Sequence, residues 1–267
     1  MNDRVKLDID GGIATVTLNR PEKRNAVDLA MFEDLVATGD ALRDMRALRA
    51  VVLCGAGKHF CAGIDVSVFG GDGIGAVAAG MMEPRNGSPA NAFQAAAWVW
   101  QEIPVPVVAA LQGVVFGAGL QIALGADIRY ATHDVQMSIM EIKWGLIPDM
   151  AISCTARRLL PPDRLKELAF TGRVLGGDEA LQAGLVTSVM EKPLEAATML
   201  AREIAGRSPD AIRAMKRLLG DCWQTDVPAS LRREADLQRA VMSGANQAEA
   251  VRANVEKRAA DFHDPES

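Results

Sequence analysis

Two glycine-containing segments stand out among the residues able to do chemistry. Lys58-His59-Phe60-Cys61-Ala62-Gly63-Ile64-Asp65 follows one short apolar run, and Gly113-Val114-Val115-Phe116-Gly117-Ala118-Gly119-Leu120-Gln121 follows another. Small residues let a backbone approach a ligand closely. The second segment opens a predicted helix over 119–125, whose first N–H groups have no partner within the helix and point outward. One N–H from near Gly63-Ile64 and one from near Gly117-Ala118, converging on a single oxygen, make an oxyanion hole. In such a site the loss of one donor typically costs about 2.7–4 kcal/mol. Taken alone, either segment reads first as tight turns and close helix–strand packing. Together, in this order, the two favour the chemical reading.

Other glycine chemistries fit less well. Gly55-Ala56-Gly57-Lys58-His59 departs from a phosphate loop, with Val52 where its first glycine belongs and His59 at the Ser/Thr position. Gly117-Ala118-Gly119 puts Ile122 in place of the third glycine of a dinucleotide fingerprint. There is no GxSxG elbow, and His59, His133 and His263 have no evident Ser or Cys partner. Cys54, Cys61, Cys154 and Cys222 are scattered, with no CxxC and no Cys/His cluster, so no metal site is expected. A net charge of −5 gives no general attraction for nucleic acid. Anionic ligands would be held by local donors. The chain start has no basic-then-apolar run, and no apolar stretch approaches the roughly 18–20 residues that span a bilayer. A cytoplasmic protein with reduced thiols and no membrane partner is therefore expected.

The elements that must carry these segments are legible. Val5, Leu7 and Ile9, then Ala14, Val16 and Leu18, alternate with polar residues about Asp10-Gly11-Gly12, which predicts a hairpin. Asp28 can cap a helix running to about Arg43. AVVLCGAG at 50–57 and VPVVAALQG at 105–113 read as buried strands separated by a helical stretch around 91–102. That pattern predicts a parallel α/β core. Residues 66–90, with GGDGIG at 70–75 and EPRNGSP at 83–89, read as a long loop of the kind that covers binding sites, or equally as a surface insertion. After Pro193 the pattern is helical: 194–206, 210–220, 227–242 and 245–261. The predicted organisation is a core over 1–192 followed by a helical region, 193–267, suited to oligomerisation.

The segments as a set resemble the crotonase, or enoyl-CoA hydratase/isomerase, superfamily. LNRPEKRNA at 18–26 is similar to its entry motif near the adenine end of coenzyme A. HFCAGID and ALQGVVFGAGLQIALGADIRYA are similar to its two oxyanion segments. EIKWGLIPD at 141–149, FTGRVLGGDEALQAGLV at 170–186 and VEKRAADF at 255–262 extend the likeness over nearly the whole chain. The resemblance implies a spiral of repeated ββα units with a C-terminal helical extension, assembling as a trimer or hexamer. It implies an acyl-CoA thioester as substrate, with coenzyme A as part of that substrate and no separate cofactor. The oxyanion donors would be the N–H groups of Ile64 and Ala118. Ala62, Lys23, Arg24 and Ala26 would lie at the adenine, with Arg24 and Lys257 as candidates for the phosphates. Asp65 would brace the turn that aims Ile64.

The reaction type falls on three side chains. Typical hydratases of the family place a Glu in the second oxyanion helix and another about twenty residues later; here these positions hold Gln121 and Glu141. A glutamine can orient water but cannot take its proton. Asp149, eight residues beyond Glu141, together with GIDV at 63–66 and ADIRY at 126–130, resembles the dienoyl-CoA isomerase branch. In that branch two carboxyl groups move protons at opposite ends of a conjugated system. Pro148-Asp149 also reads as ordinary turn chemistry. The expected activity is double-bond isomerisation of an unsaturated fatty acyl-CoA. The alternatives are hydration of a 2-enoyl-CoA in β-oxidation, with Glu141 and a water held by Gln121, and a non-catalytic acyl-CoA binder or RNA-associated member of the fold. Trp98, Trp100 and Trp144 read as core, with Trp144 a further candidate for the acyl tunnel.

Overall fold

Residues 3–69 and 82–265 are described by the computed structural model; positions 70–81 of the loop predicted over 66–90 lie outside them. The alternation in the first twenty residues produces the hairpin. β1 (Val5–Asp10) pairs antiparallel with β2 (Ile13–Leu18), Val5 opposite Leu18 and Asp10 opposite Ile13. Ala14, Val16 and Leu18 are buried on one face of β2, while Thr15 and Thr17 between them are partly exposed, the period of two that a pleated strand imposes.

Six more strands follow: β3 (Ala50–Gly55), β4 (Val107–Leu111), β5 (Val114–Phe116), β6 (Ile128–Ala131), β7 (Gln136–Ser138) and β8 (Ser188–Val189). The main sheet runs β1-β2-β3-β4-β6-β8 and is parallel from β2 onward. β5 and β7 form a separate parallel pair. The parallel α/β core read from the apolar runs is therefore present. The small second sheet was not read from the sequence, since strands of three residues carry almost no periodicity.

The helices are α1 (Leu29–Arg43), α2 (Ala92–Glu102), α3 (Ala118–Leu124), α4 (Ile152–Thr155), α5 (Pro162–Thr171), α6 (Gly177–Ala183), α7 (Pro193–Ala205), α8 (Pro209–Asp221), α9 (Val227–Val241) and α10 (Ala245–Glu256). Asp28 caps α1, accepting from the Met31 N–H at 2.9 Å. Asn91 and Gln94 exchange side-chain and backbone bonds at the start of α2, a capping box. α1 and α2 pack on one another and carry Phe32, Leu35, Val99 and Trp100 into the main core, where Val51, Leu53, Val107 and Ala109 meet them.

The alternate residues of the same strands, Val52, Cys54, Val108 and Ala110, face the other way. There they are covered by Ala197 and Ala201 of α7. Both faces are thus buried, which is why these strands read as continuous apolar runs. The next helix is anchored by polar contacts. The Lys216 ammonium on α8 donates to the carbonyls of Trp100 at 3.0 Å and Val105 at 2.8 Å and pairs with Asp127 at 2.8 Å. All three of its protons are used, which is what a buried ammonium requires. Among the described residues no helix is long and apolar enough to cross a membrane.

Candidate active site

Three lengths of extended chain, far apart in sequence, lie side by side. The Cys61 N–H donates to the Val114 carbonyl at 3.1 Å, and the Cys61 carbonyl accepts from the Phe116 N–H at 3.0 Å. The Gly117 N–H donates in turn to the Ser138 carbonyl at 3.0 Å. These bonds place the end of the first glycine segment, the start of α3 and the chain leading to Glu141 around one spot.

The backbone at each donor is set by its neighbours. The Val27 N–H donates to the Gly63 carbonyl and the Val27 carbonyl accepts from the Asp65 N–H, both at 2.8 Å. Ile64 sits between those two bonds, so its own N–H faces away from Val27, toward a cavity that Ile64 lines. Gly63 has φ +96°, and a Cβ there would stand 2.9 Å from the Phe116 carbonyl oxygen and 3.8 Å from the Ala118 nitrogen. The two segments are therefore in backbone contact. Gly117, at φ +50° and ψ −118°, turns the chain into α3 and leaves Ala118 at its first position. Among the described residues no protein acceptor takes the N–H of Ile64 or of Ala118. Both residues line the same cavity.

The side chains expected to do chemistry meet there. Gln121 on α3 is buried, and its Nε2 donates to Glu141 Oε1 at 2.6 Å. Its Oε1 accepts from the Met150 N–H at 2.7 Å. Glu141 lies against the Gly117 turn, since a Cβ on Gly117 would come 3.4 Å from its Oε1. The other oxygen, Oε2, is buried and has no partner. Burial pushes the Glu141 carboxyl above the usual carboxylate range; backbone N–H groups and Gln121 oppose the rise, and the charge of Asp149 adds to it. Asp149 remains open to solvent at the cavity rim, yet the protein around its carboxyl also raises it, against the pull of its own N–H. Two carboxyls and two free N–H groups thus face one space.

That space holds about 930 Å³, and apart from Asp28, Ser67 and the groups just named its lining is apolar. Phe32 and Phe93 form one wall, edge to face with ring centroids 5.2 Å apart. Met82, Trp144, Leu146 and Ile147 form another. Trp144 is thus a cavity residue, whereas Trp100 is fully buried core. The aliphatic lining was missed at the level of sequence, because Leu146 and Ile147 carry no signal that separates pocket from core.

The remaining candidates occupy the outer turn. Arg24 and Asn25 both have positive φ, and the buried Asn25 side chain holds the turn by donating to the carbonyls of Ala56 at 2.9 Å and His59 at 2.8 Å. The Arg24 carbonyl accepts from the Ala62 N–H at 2.9 Å, joining Lys23, Arg24 and Ala26 to the first glycine segment. Burial lowers the His59 imidazole, and the charges of Arg24 and Lys58 lower it further, so a small cationic cluster gathers here. Asp65 lies outside the cavity lining. Its oxygens accept from the Ser67 N–H at 3.0 Å and pair with Arg20 at 2.5 Å, and its carboxyl is held down at about 2, chiefly by the Ser67 N–H. Lys257 closes the C-terminus of α10 and does not line the cavity.

A fold of stacked ββα units enclosing paired backbone donors is that of the crotonase superfamily. A sequence profile for enoyl-CoA hydratase/isomerase matches residues 8–265, and the chain belongs to that family. It is 32% identical to the mitochondrial Delta(3,5)-Delta(2,4)-dienoyl-CoA isomerase of Mus musculus, over 91% of this chain and 76% of that protein. It is 30% identical to a short-chain-enoyl-CoA hydratase of Clostridium acetobutylicum, over 96% of each. The crystal structure of an enoyl-CoA hydratase from Bacillus anthracis superposes with a TM-score of 0.87 at 27% identity, covering 97% of this chain and 98% of that one.

Proposed function

We propose that this enzyme shifts a double bond along an unsaturated acyl-CoA, with Glu141 and Asp149 as its two proton carriers. The observation that carries the reading is that both carboxyls line the same cavity as Ile64 and Ala118, whose N–H groups no acceptor among the described residues takes. A thioester oxygen held by those two donors accepts the electron pair left when Glu141 removes a proton from C2. The conjugated enolate then takes a proton from the Asp149 carboxylic acid at its far end, and the thioester carbonyl reforms with the double bond moved. Glu141 now holds the proton that Asp149 has lost; its return through solvent at the open rim completes the cycle. The protein around them raises both carboxyls from their ordinary values, the direction that helps a carboxyl hold a proton before giving it up.

Hydration is the second reading, and the Gln121 contacts weigh against it. Its amide oxygen is bonded to Met150 and its nitrogen to Glu141, so only its second amide proton and second oxygen lone pair are left for an attacking water. Assays with a 3,5-dienoyl-CoA and with crotonyl-CoA separate the two. The expected result is a diene shift in the first and little hydration in the second. Asp149→Asn should cut the diene shift by about 10²-fold or more, the scale of a lost general acid, while substrate still binds. Efficient hydration of crotonyl-CoA with no diene shift overturns the isomerase reading.

The adenine end of coenzyme A is assigned to the turn carrying Lys23, Arg24, Ala26 and Ala62, whose cations suit its phosphates. Association into a trimer or hexamer belongs to the same proposal. Trp223, Val227 and Leu231, in and around α9, are all exposed in the single chain, a concentration of apolar surface that fits burial against other copies. Light scattering on the purified protein is expected to give a mass of three or six chains; a monomer at micromolar concentration refutes this.

A further inference from the structure

We infer that Gln121 is a positioning residue: it selects which oxygen of Glu141 is left free to act, and it ties that carboxyl to the backbone beside Asp149. This rests on Glu141 being the base at the oxyanion hole and is indifferent to which product forms.

The orientation of the Gln121 amide is dictated from one side. The Met150 N–H can only donate, so the amide oxygen must face it, and does so at 2.7 Å. The amide nitrogen is thereby turned to Glu141 and donates to Oε1 at 2.6 Å. With one carboxylate oxygen so occupied, the bare Oε2 is the atom left to take a proton. A neutral donor also favours the ionised form of the acid it touches. It therefore offsets part of the cost of burying Glu141, without adding the second negative charge that a carboxylate at position 121 brings. The far end of the clamp is Met150, the residue after Asp149, and the next residue, Ala151, adopts φ +66°. One side chain thus fixes the base and pins the loop bearing its partner.

The groups around Glu141 leave this role to Gln121. The titratable residue whose charge reaches Glu141 is Asp149. On its own turn, Lys143 is exposed. On α5, which packs against that turn, Asp163 and Lys166 are exposed, and Glu167 is engaged by Arg164 at 2.6 Å and by Arg173 at 2.9 Å. α3 presents Gln121 alone.

The test reads Glu141 directly. The protein is labelled with 13C at glutamate carboxyls, the Glu141 resonance is identified by its absence in Glu141→Gln, and its titration is followed in wild type, Gln121→Met and Gln121→Glu. Methionine keeps the volume and removes the donor. Glutamate keeps an acceptor for Met150 and so preserves the loop if the apolar variant folds poorly. In Gln121→Met the Glu141 midpoint should move to higher pH, because the donor to its ionised form is gone; in Gln121→Glu two carboxyls share one proton, so the Glu141 signal should titrate in two separated steps. In steady-state assays Gln121→Met should lower kcat by about 10–100-fold with KM within about threefold, the pattern of a contact that matters in the transition state. Coincident Glu141 titrations in all three proteins overturn the inference, whatever happens to thermal stability. A wild type that shifts no double bond refutes the isomerase reading instead, and the titrations still decide the role of Gln121.

Discussion

Glu141→Gln is expected to lower kcat by roughly 10²–10⁴-fold, the contribution of a positioned general base, while KM for the acyl-CoA changes by less than about threefold. The amide has the carboxyl's shape and can still meet Gln121, so the apolar walls and the two N–H donors keep their geometry. What is lost is the buried Oε2 that would take the C2 proton. The same exchange should alter how stability depends on pH. Burial raises the folded-state pKa of Glu141 above its unfolded value. Its contribution to stability is therefore fully present below the unfolded value and is lost as pH rises through the folded one. Thermal melts of the wild type should fall relative to Glu141→Gln on going from about pH 4 to neutrality. An unchanged kcat in the variant would remove Glu141 from the mechanism.

The second large effect is expected at Gly117→Ala. Gly117 combines φ +50° with ψ −118°, a backbone conformation open to glycine and costly for alanine, by about 1–3 kcal/mol. The new Cβ would also lie 3.4 Å from Glu141 Oε1. Relief of that backbone strain rotates the peptide that carries the Ala118 N–H. The loss of one oxyanion donor corresponds to about 10²–10³-fold in kcat. Gly11→Ala serves as the control: φ there is +55° and nothing stands within 4 Å of the added atom, so it should reduce stability and leave kcat intact. Equal kcat losses in the two variants would mean that general loosening, not the donor at Ala118, is responsible.

The parts of this molecule legible in its sequence are those governed by near neighbours. The hairpin, the Asp28 cap, the two-sided burial of β3 and β4 and the four C-terminal helices all follow from local pattern. The two oxyanion segments were legible because close backbone approach demands Gly63 and Gly117 at fixed places. What escaped depends on partners distant along the chain. The direction of the Gln121 amide is decided by an N–H at Met150, and Lys216 is recognisable as an anchor only once Trp100, Val105 and Asp127 are seen around it. Asp149 illustrates the same limit. Its spacing from Glu141 suggested a pair, but only the structure shows that both line one cavity. Pro193–Ala205 reads as the first of the C-terminal helices, yet it covers the second face of the sheet, because a helix's apolar stripe does not announce which surface it meets.

The stitching of residues 61–65, 114–118 and 136–141 also bears on how the enzyme comes into being. Each of the bonds Cys61–Val114, Phe116–Cys61 and Gly117–Ser138 spans two successive turns of the coil, and none of the three segments holds more than a fragment of the site. Loop closure over such separations must be completed before any of these contacts can form. Until residues 136–141 have docked on the other two segments, Glu141 is not held beside Ile64 and Ala118.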